Sequence, residues 1–481
     1  MNRTVTYLAV AGSLALVAVV LGLPAIKAPA PTPPAPVPPI VVVQPPQPLP
    51  PVPVPSGDGS LRMEARLSHP VIIAGRSDLF ATVDVTAVTV PNATRAPVNL
   101  ALVIDRSGSM NGYKLERAKQ AARQLVSELA DDDRLSIVHF GTDVRVMPGA
   151  YATPENRAKM IRYINNIWDL GGTDIGGGLR AGKGQLAVAM ESFKVNRVIL
   201  MSDGQPTVGI TSARGLQSIA QQLRDSGVSV SAIGVGTDFN EDLMTRIAEV
   251  GAGSYGYLRD AGQLATLFSR DLKQASSMVA RSVTLSFTLP DGVELGEVLG
   301  RSAYPSGRIV NVPMPDFSAG QSEKLVVRLT VNGQADGQTV NVTDFALAYT
   351  DLIKSGAGTA QVHLAALVTG QRDVMLAKRD KAATVQATRA QSAENYRIAA
   401  EAMDRGESKK AEKAIRANEM LFDDAEGVAG VEAVAQDKSD NKAVMGAVMA
   451  APAAPREEQQ DQVKALKVRA MKASGRGASV Y

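Results

Sequence analysis

The fold is decided by residues 100–110, which read Leu-Ala-Leu-Val-Ile-Asp-Arg-Ser-Gly-Ser-Met. The apolar run that begins this stretch predicts a buried strand of a parallel sheet, because such strands are covered on both faces. Asp105, Ser107 and Ser109 follow at the carboxyl end of the strand, where open α/β sheets place their ligand sites. One carboxylate and two hydroxyls at alternate positions predict a hard oxygen site suited to Mg²⁺ or Mn²⁺. An ordinary turn is also rich in these residue types, so the pattern alone is weak.

Two later stretches complete a three-part motif. Residues 170–174 read Leu-Gly-Gly-Thr-Asp and place the hydroxyl of Thr173 in a glycine-rich loop before a predicted helix. Residues 198–204 read Val-Ile-Leu-Met-Ser-Asp-Gly, a second apolar strand that ends at Asp203. In this order the three parts resemble the von Willebrand factor A domain and its metal-ion-dependent adhesion site, as found in bacterial exported or surface proteins.

The resemblance implies a set of metal ligands and a kind of partner. It assigns the metal site to Asp105, Ser107, Ser109, Thr173 and Asp203. The serine hydroxyls would bind Mg²⁺ (or Mn²⁺ or Ca²⁺) directly, Thr173 directly or through a water, and the two aspartates through waters and hydrogen bonds. Neutral donors leave the charge of the ion poorly compensated, so an Asp or Glu carboxylate of a partner protein would complete the coordination.

Two neighbouring residues each have two interpretations. Asp174 is expected to cap the following helix as an N-terminal acid, and the alternative is that it adjusts the charge of the metal site. Trp168 is expected to anchor the core, and the alternative is that it lines the rim of the binding face.

The composition limits the class of protein. The chain has 481 residues, of which 45% are hydrophobic and 21% charged, as expected of a folded protein of about three domains. A net charge of +3 gives no nucleic-acid signal. The sequence has no cysteine, which excludes disulfides, thiol catalysis and thiolate metal sites. Its three histidines lie far apart and form no His-Glu-x-x-His zinc pattern.

Residues 98–277 alternate between strand and helix patterns, which predicts an α/β, Rossmann-like von Willebrand factor A (VWA) domain with a mainly parallel sheet. Besides the two motif strands, the pattern predicts strands at 134–140, 142–146, 228–235 and 254–258. It predicts helices at 113–130, 154–167, 174–190, 213–225, 241–250 and 263–276.

The flanking segments have other patterns. Residues 60–97 and 278–370 contain alternating strands, and we expect them to pair into one β-sandwich in which the A-type domain is inserted. Residues 371–425 predict a helical hairpin broken at Gly406, either packed on the sandwich or similar to one tetratricopeptide-like pair. Residues 426–481 lack a steady period and predict a flexible tail.

The N-terminal residues predict the location of the protein. Residues 1–28 contain an apolar segment that is an export signal or a membrane anchor; an uncleaved anchor is favoured because no clean cleavage site follows. Residues 29–59 form a proline-rich linker, either a semi-rigid stalk or a ligand for a proline-binding module. Both N-terminal alternatives place the rest of the chain in the cell envelope outside the cytoplasm, membrane-anchored or secreted.

These observations predict a metal-dependent protein-binding module for adhesion or scaffolding. The alternatives are a metal-assisted enzyme and an accessory subunit of a membrane complex. We expect no enzyme, because no Ser-His-Asp arrangement or paired carboxylates accompany the motif. The expected partners are a protein that presents an acidic residue and, through residues 1–28, a membrane, but no nucleic acid.

Overall fold

The computed structural model of the chain describes residues 56–90, 96–236, 239–258, 274 and 277–475. The predicted signal or anchor, the proline-rich linker up to residue 55 and all of the predicted helix 263–276 except Gln274 lie outside the described residues. Within the described ranges, no helix has both the length and the apolar character that crossing a bilayer requires.

The first described segment is made of strands, as its alternating pattern predicts. The strands are β1 (Leu61–Leu67), β2 (Val71–Ile73) and β3 (Gly75–Ala87). β1 and β3 pair antiparallel with Leu61 opposite Ala87. Every second residue of β1 is buried, because successive side chains of a strand point to opposite faces.

A six-stranded sheet follows among the described residues. Its strands are β4 (Val98–Asp105), β5 (Arg134–Phe140), β6 (Val144–Tyr151), β7 (Val195–Ser202), β8 (Ser229–Val235) and β9 (Ala252–Leu258). The order is β6-β5-β4-β7-β8-β9, and every neighbouring pair is parallel except β5 with β6. The mainly parallel sheet predicted from the sequence is confirmed.

Helices cover both faces of this sheet. They are α1 (Tyr113–Glu128), α2 (Pro154–Asn165), α3 (Ile175–Ala187), α4 (Ala213–Asp225) and α5 (Glu241–Val250). Leu102 and Ile104 of β4 belong to the core under α1 and α2, whereas Ala101 and Val103 belong to the core under α3, α4 and α5. β4 is therefore buried on both faces, which explains the apolar run of residues 100–104.

The later strands build the β-sandwich. They are β10 (Met278–Thr288), β11 (Val293–Leu299), β12 (Tyr304–Ser306), β13 (Ile309–Pro313), β14 (Phe317–Ser318), β15 (Ser322–Gly333), β16 (Thr339–Asp351) and β17 (Gly356–Thr369). One sheet has the order β1-β3-β15-β11 and the other β12-β13-β10-β16-β17-β2, with β14 beside β10.

The two parts of the sandwich are separated in sequence by the α/β domain. β3 pairs with β15, Leu79 opposite Leu329, and β2 pairs in parallel with β17. One buried core joins both sheets and includes Phe287 and Phe345, whose ring centroids are 5.5 Å apart. The predicted insertion of the α/β domain between strands of one sandwich is confirmed.

The C-terminal part is helical throughout its described length. Its helices are α6 (Arg372–Ala377), α7 (Lys381–Asp404), α8 (Ser408–Ala429), α9 (Val431–Ala450) and α10 (Arg456–Ala473). The hairpin turns at Gly406, as predicted, where φ is +74°. Ala387 and Ala390 of α7 pack against Val326 of the sandwich, so the prediction of helices on the sandwich is also confirmed.

The predicted flexible tail is wrong. Residues 431–450 and 456–473 form α9 and α10, and Val448, Val463 and Leu466 lie in one core with α7 and α8. Asn441 of α9 is buried and accepts hydrogen bonds from Tyr396 and Asn418, both at 3.2 Å. The apolar periodicity of α9 and α10 is weak because alanine fills much of their interface with α7 and α8. Alanine favours helix strongly and needs no broad apolar face.

Candidate metal site

The site lies where β4 and β7 end. These parallel neighbours are in register, with Ile104 opposite Met201, so Asp105 and Asp203 follow at the same edge of the sheet. Ser202 donates a hydrogen bond from Oγ to Asp105 Oδ2 at 2.6 Å and joins the two strand ends. The topology therefore explains why residues about one hundred positions apart form one site.

Asp105 holds the first loop in place. Its Oδ1 accepts a hydrogen bond from the main-chain N–H of Ser107 at 2.8 Å, so both carboxylate oxygens have protein partners. Burial raises the pKa of the Asp105 carboxyl to about 6, against the opposite effect of hydrogen bonds from Ser107 and Ser202. Asp105 thus fixes the backbone at Ser107 and the hydroxyl of Ser202, and its predicted role toward a bound ion stays a prediction.

Ser107 and Ser109 place their hydroxyls together. The chain makes a short 3-10 turn over Gly108–Met110, and the two Oγ atoms lie 3.1 Å apart. Ser107 is buried and Ser109 is exposed. The pair consequently offers two adjacent hydroxyl oxygens where the buried end of β4 meets the exposed part of the loop.

Backbone hydrogen bonds join this loop to the Thr173 loop. Gly108 N donates to Gly171 O at 2.9 Å, and Leu170 N donates to Arg106 O at 2.8 Å. Thr173 itself is buried, and its main-chain N donates to Thr207 Oγ1 at 2.9 Å. Thr207 was missed in the sequence analysis; its loop follows β7, and nothing in the local sequence indicates that it supports Thr173.

Asp174 caps α3. Its side chain accepts a hydrogen bond from Gly177 N at 2.8 Å, which satisfies one of the free N–H groups at the start of the helix. The predicted capping role is confirmed.

Asp203 has a partner that the sequence analysis missed. The ammonium Nζ of Lys114 lies 3.6 Å from Asp203 Oδ2, and the two side chains are only 8% and 2% exposed. The other oxygen, Asp203 Oδ1, is buried and has no hydrogen-bond partner among the described residues. Lys114 lies in the first turn of α1, and its position in an amphipathic helix gives no sign of a role at the end of β7.

These residues fit a hard divalent cation. The donors are hydroxyl and carboxylate oxygens, which Mg²⁺, Mn²⁺ and Ca²⁺ prefer. The free Oδ1 of Asp203 is a buried acceptor that an ion or its bound water would satisfy. Among the described residues no group of three or more His, Asp or Glu side chains is placed to hold a metal, so a metal at these loops depends on the hydroxyls.

The rim of the site carries exposed rings. Trp168 is 56% exposed, so its predicted role as a core anchor is wrong. Its loop, residues 168–171, is hydrogen-bonded to the serine loop, and its alternative role at the rim of a binding face stays a prediction. The guanidinium of Arg145 lies 5.7 Å from the centre of the Trp168 ring. At the start of α1, Tyr113 is 53% exposed, and the guanidinium of Arg117 lies 4.8 Å from its ring centre.

Comparison with known proteins identifies the α/β region. Residues 99–270 match the family model of the von Willebrand factor type A domain. The uncharacterized protein YfbK of Escherichia coli is 30% identical over 244 residues, which are 49% of this chain and 42% of that protein. Inter-alpha-trypsin inhibitor heavy chain H2 of Mus musculus is 29% identical over 225 residues, 44% of this chain and 23% of that protein. The chain thus spans less than half of the length of these two relatives.

Solved structures share a larger part of the fold. A von Willebrand factor type A protein from Catenulispora acidiphila aligns with a TM-score of 0.65 at 19% identity and covers 86% of this chain and 97% of its own. The ArnB paralog VWA2 from Sulfolobus acidocaldarius aligns with a TM-score of 0.52 at 16% identity over 86% of this chain and 99% of its own. At such low identity these two likenesses show the fold alone.

Proposed function

Residues 99–270 of this chain form a von Willebrand factor type A domain, and we propose that the domain binds a partner protein through a divalent cation. The observation that carries the proposal is that the Ser107 and Ser109 hydroxyls follow the buried Asp105 at the end of β4, in register with the end of β7 before Asp203, while backbone hydrogen bonds hold the Thr173 loop against the serine loop. Ser107, Ser109 and Thr173 would hold Mg²⁺, with Asp105 and Asp203 orienting the hydroxyls and bound waters. The ion supplies a positive charge that attracts an Asp or Glu carboxylate of the partner.

The rim supports binding to a protein. Trp, Tyr and Arg are the residues most often found at energetic centres of protein interfaces. Here Trp168 and Tyr113 are each more than half exposed and each lies against an arginine. A partner that places an acid on the ion would bury these rings around it, which adds contact area to a single ionic contact.

We propose adhesion or scaffolding rather than catalysis. A general base needs a free lone pair near the reacting group. Both oxygens of Asp105 already accept hydrogen bonds; one oxygen of Asp203 lies beside the Lys114 ammonium, and we assign the other to the ion or its bound water. These engagements favour a binding role for the two carboxylates over proton transfer.

The test is metal-dependent capture of the partner. The full chain is immobilised and exposed to envelope proteins of the producing cells, once in Mg²⁺ and once in chelator. Ser107→Ala removes a ligand hydroxyl, whereas Ser127→Ala removes an exposed hydroxyl of α1 that bonds only Gln124 O within the described structure. We expect a protein retained by the wild type and Ser127→Ala in Mg²⁺ and lost with chelator or Ser107→Ala. Equal retention by all variants would contradict metal-dependent binding.

We also propose that the domain acts outside the cytoplasm, tethered by residues 1–28. The apolar segment followed by a proline-rich stretch supports this location, since a stalk after an anchor lifts a folded domain from the membrane. Sequencing the N-terminus of the mature protein should find the apolar segment attached. A mature protein that starts near residue 28 would instead indicate a cleaved signal and a secreted protein.

A further inference from the structure

The C-terminal helix α10 contacts the VWA domain at residues that follow β8. Lys464 of α10 is only 7% exposed, and its Nζ donates a hydrogen bond to Gly236 O at 3.0 Å. The same Nζ lies 4.1 Å from the centre of the Phe239 ring. Three residues further along α10, Lys467 Nζ lies 3.5 Å from Oε2 of the buried Glu241. Lysine is seldom buried without partners of this kind, so these contacts hold α10 on the domain.

The segment that α10 contacts also supports Asp203. Asn240, between Phe239 and Glu241, donates a hydrogen bond from its main-chain N to Asp203 O at 2.9 Å. Gly204 has φ of +67°, and a Cβ at this position would lie only 3.2 Å from Asn240 O. The outer two of these three consecutive residues therefore contact α10, and the middle one contacts the loop that carries Asp203.

Apolar contacts connect the same elements. Val468 and Met471 of α10 pack against the core that contains Met244 of α5. Met244 in turn lies beside Gly204, since a Cβ on that glycine would be 3.1 Å from Met244 Cγ. Leu466 of α10 is buried in a core with α7 and α8. Helix α10 thus joins the C-terminal helices to the part of the VWA domain that supports the end of β7.

We propose that α10 positions Asp203 for the cation, so that the packing of the C-terminal helices on the VWA domain sets how tightly the ion is bound. This inference rests on the proposed metal-dependent function. Mg²⁺ requires near-octahedral oxygen geometry, and groups that orient its ligands affect metal affinity strongly. When α10 no longer holds residues 239–241, Asp203 shifts and no longer orients the waters of the ion, so the affinity for the ion falls.

The first measurement is Mn²⁺ binding to the purified full chain, followed by the electron paramagnetic resonance signal of free Mn²⁺. Lys464→Met and Lys467→Met each remove one contact of α10 with the domain, and Lys467→Arg keeps the charge that faces Glu241. Arg469→Met is the matched control on the same helix. It also removes one positive charge and one hydrogen bond to a main-chain oxygen, but Arg469 bonds Asp440 of α9, at 2.8 Å to the main chain and 2.9 Å to the carboxylate.

The variants should differ according to the element that each side chain contacts. Lys464→Met should weaken Mn²⁺ binding at least about fivefold, the lower end of ordinary coupling between sites. Lys467→Met should weaken it about threefold, because its side chain is 23% exposed and its ion pair is weaker. Lys467→Arg and Arg469→Met should stay within about twofold of the wild type. Unchanged binding by both lysine-to-methionine variants, or an equal loss in Arg469→Met, would overturn the role of α10. A wild type that fails to bind Mn²⁺ would instead overturn the proposed function.

The second measurement requires no change in α10. Because coupling between two sites is reciprocal, an ion that favours the position of Asp203 must also favour the packed position of α10. Hydrogen exchange in the peptide of residues 456–473 should therefore slow at least about fivefold when Mg²⁺ replaces chelator. Ser107→Ala, which removes a ligand hydroxyl, should show no slowing. Slowing in α10 no greater than that in the sandwich strand β16 would overturn the coupling.

Discussion

Two buried ion pairs in this molecule differ in whether both oxygens of the carboxylate have a partner. In the sandwich, Arg301 Nη2 lies 2.5 Å from Glu323 Oε2, and Glu323 Oε1 accepts a hydrogen bond from Gln321 at 3.2 Å. In the VWA domain, Asp203 faces Lys114 through one oxygen at 3.6 Å, and its other oxygen has no hydrogen-bond partner among the described residues. A buried acid with both oxygens engaged stabilises the fold, whereas one with a free oxygen keeps an acceptor for a ligand.

The largest expected effect is the loss of stability when the Arg301–Glu323 pair is broken. Glu323→Gln removes the carboxylate charge that faces the buried Arg301 guanidinium, so the free energy of unfolding should fall by about 3–5 kcal/mol. Urea denaturation measures this loss. Glu294→Gln is the control, because Glu294 and Arg76 form an exposed pair whose loss should cost less than about 1 kcal/mol. Similar small losses in both variants would show that the buried pair is not a structural anchor.

The candidate metal site, where one oxygen of Asp203 lacks a partner among the described residues, should instead make the stability of the protein depend on metal. A ligand that binds only the folded state at about one hundred times its Kd raises the free energy of unfolding by about 2.7 kcal/mol. We expect this increase when Mg²⁺ replaces chelator for the wild type and for Glu323→Gln, as measured by urea denaturation. Ser107→Ala should show no increase. An equal increase in Ser107→Ala would place the metal elsewhere.

A smaller effect separates the helix cap from the metal site. Asp174→Ala removes the hydrogen bond to Gly177 N and should reduce stability by about 1 kcal/mol. Ser212→Ala removes the matching cap of α4, where Ser212 accepts from Gly215 N at 3.2 Å, and should cost a similar amount. Both variants should keep the Mg²⁺ stabilisation in urea. Loss of the Mg²⁺ stabilisation in Asp174→Ala alone would show that Asp174 contributes to the metal site.

The last expected effect appears only in acid and concerns His69 in the sandwich region. Burial, reinforced by the charge of Arg379, lowers the pKa of His69 from 6.5 to about 4. The unfolded chain therefore takes up a proton that the folded chain resists, and stability is lost as pH falls from about 6.5 toward 4. Urea midpoints measured across this range should fall less steeply for His69→Gln than for the wild type.

His139 in the VWA domain has its pKa lowered to about 4 by burial as well, so His139→Gln should show the same change of slope. Parallel curves of urea midpoint against pH for the two variants and the wild type would contradict the lowered pKa values of the histidines.

Much of the fold was predictable because its signals are local. The apolar run at residues 100–104 of β4 arises from burial on both faces, and the alternation in β1 arises from burial on one. The strands β11 and β12 could not be located from the sequence, because their buried and exposed residues do not alternate regularly. The C-terminal helices α9 and α10 were missed as ordered elements because their alanine-rich contacts leave no regular apolar stripe.

The sequence by itself predicts site residues at strand ends and glycine turns, since the order of the three motif parts brings them to one edge of a parallel sheet. Only the tertiary structure decided which side chains from other elements approach that edge. Lys114 reaches Asp203 from the start of α1, and Thr207 supports Thr173 from the loop after β7. Trp168 lies exposed in a loop that is hydrogen-bonded to the serine loop. Such contacts depend on the packing of segments far apart in the chain, and a single sequence carries no periodic signal for them.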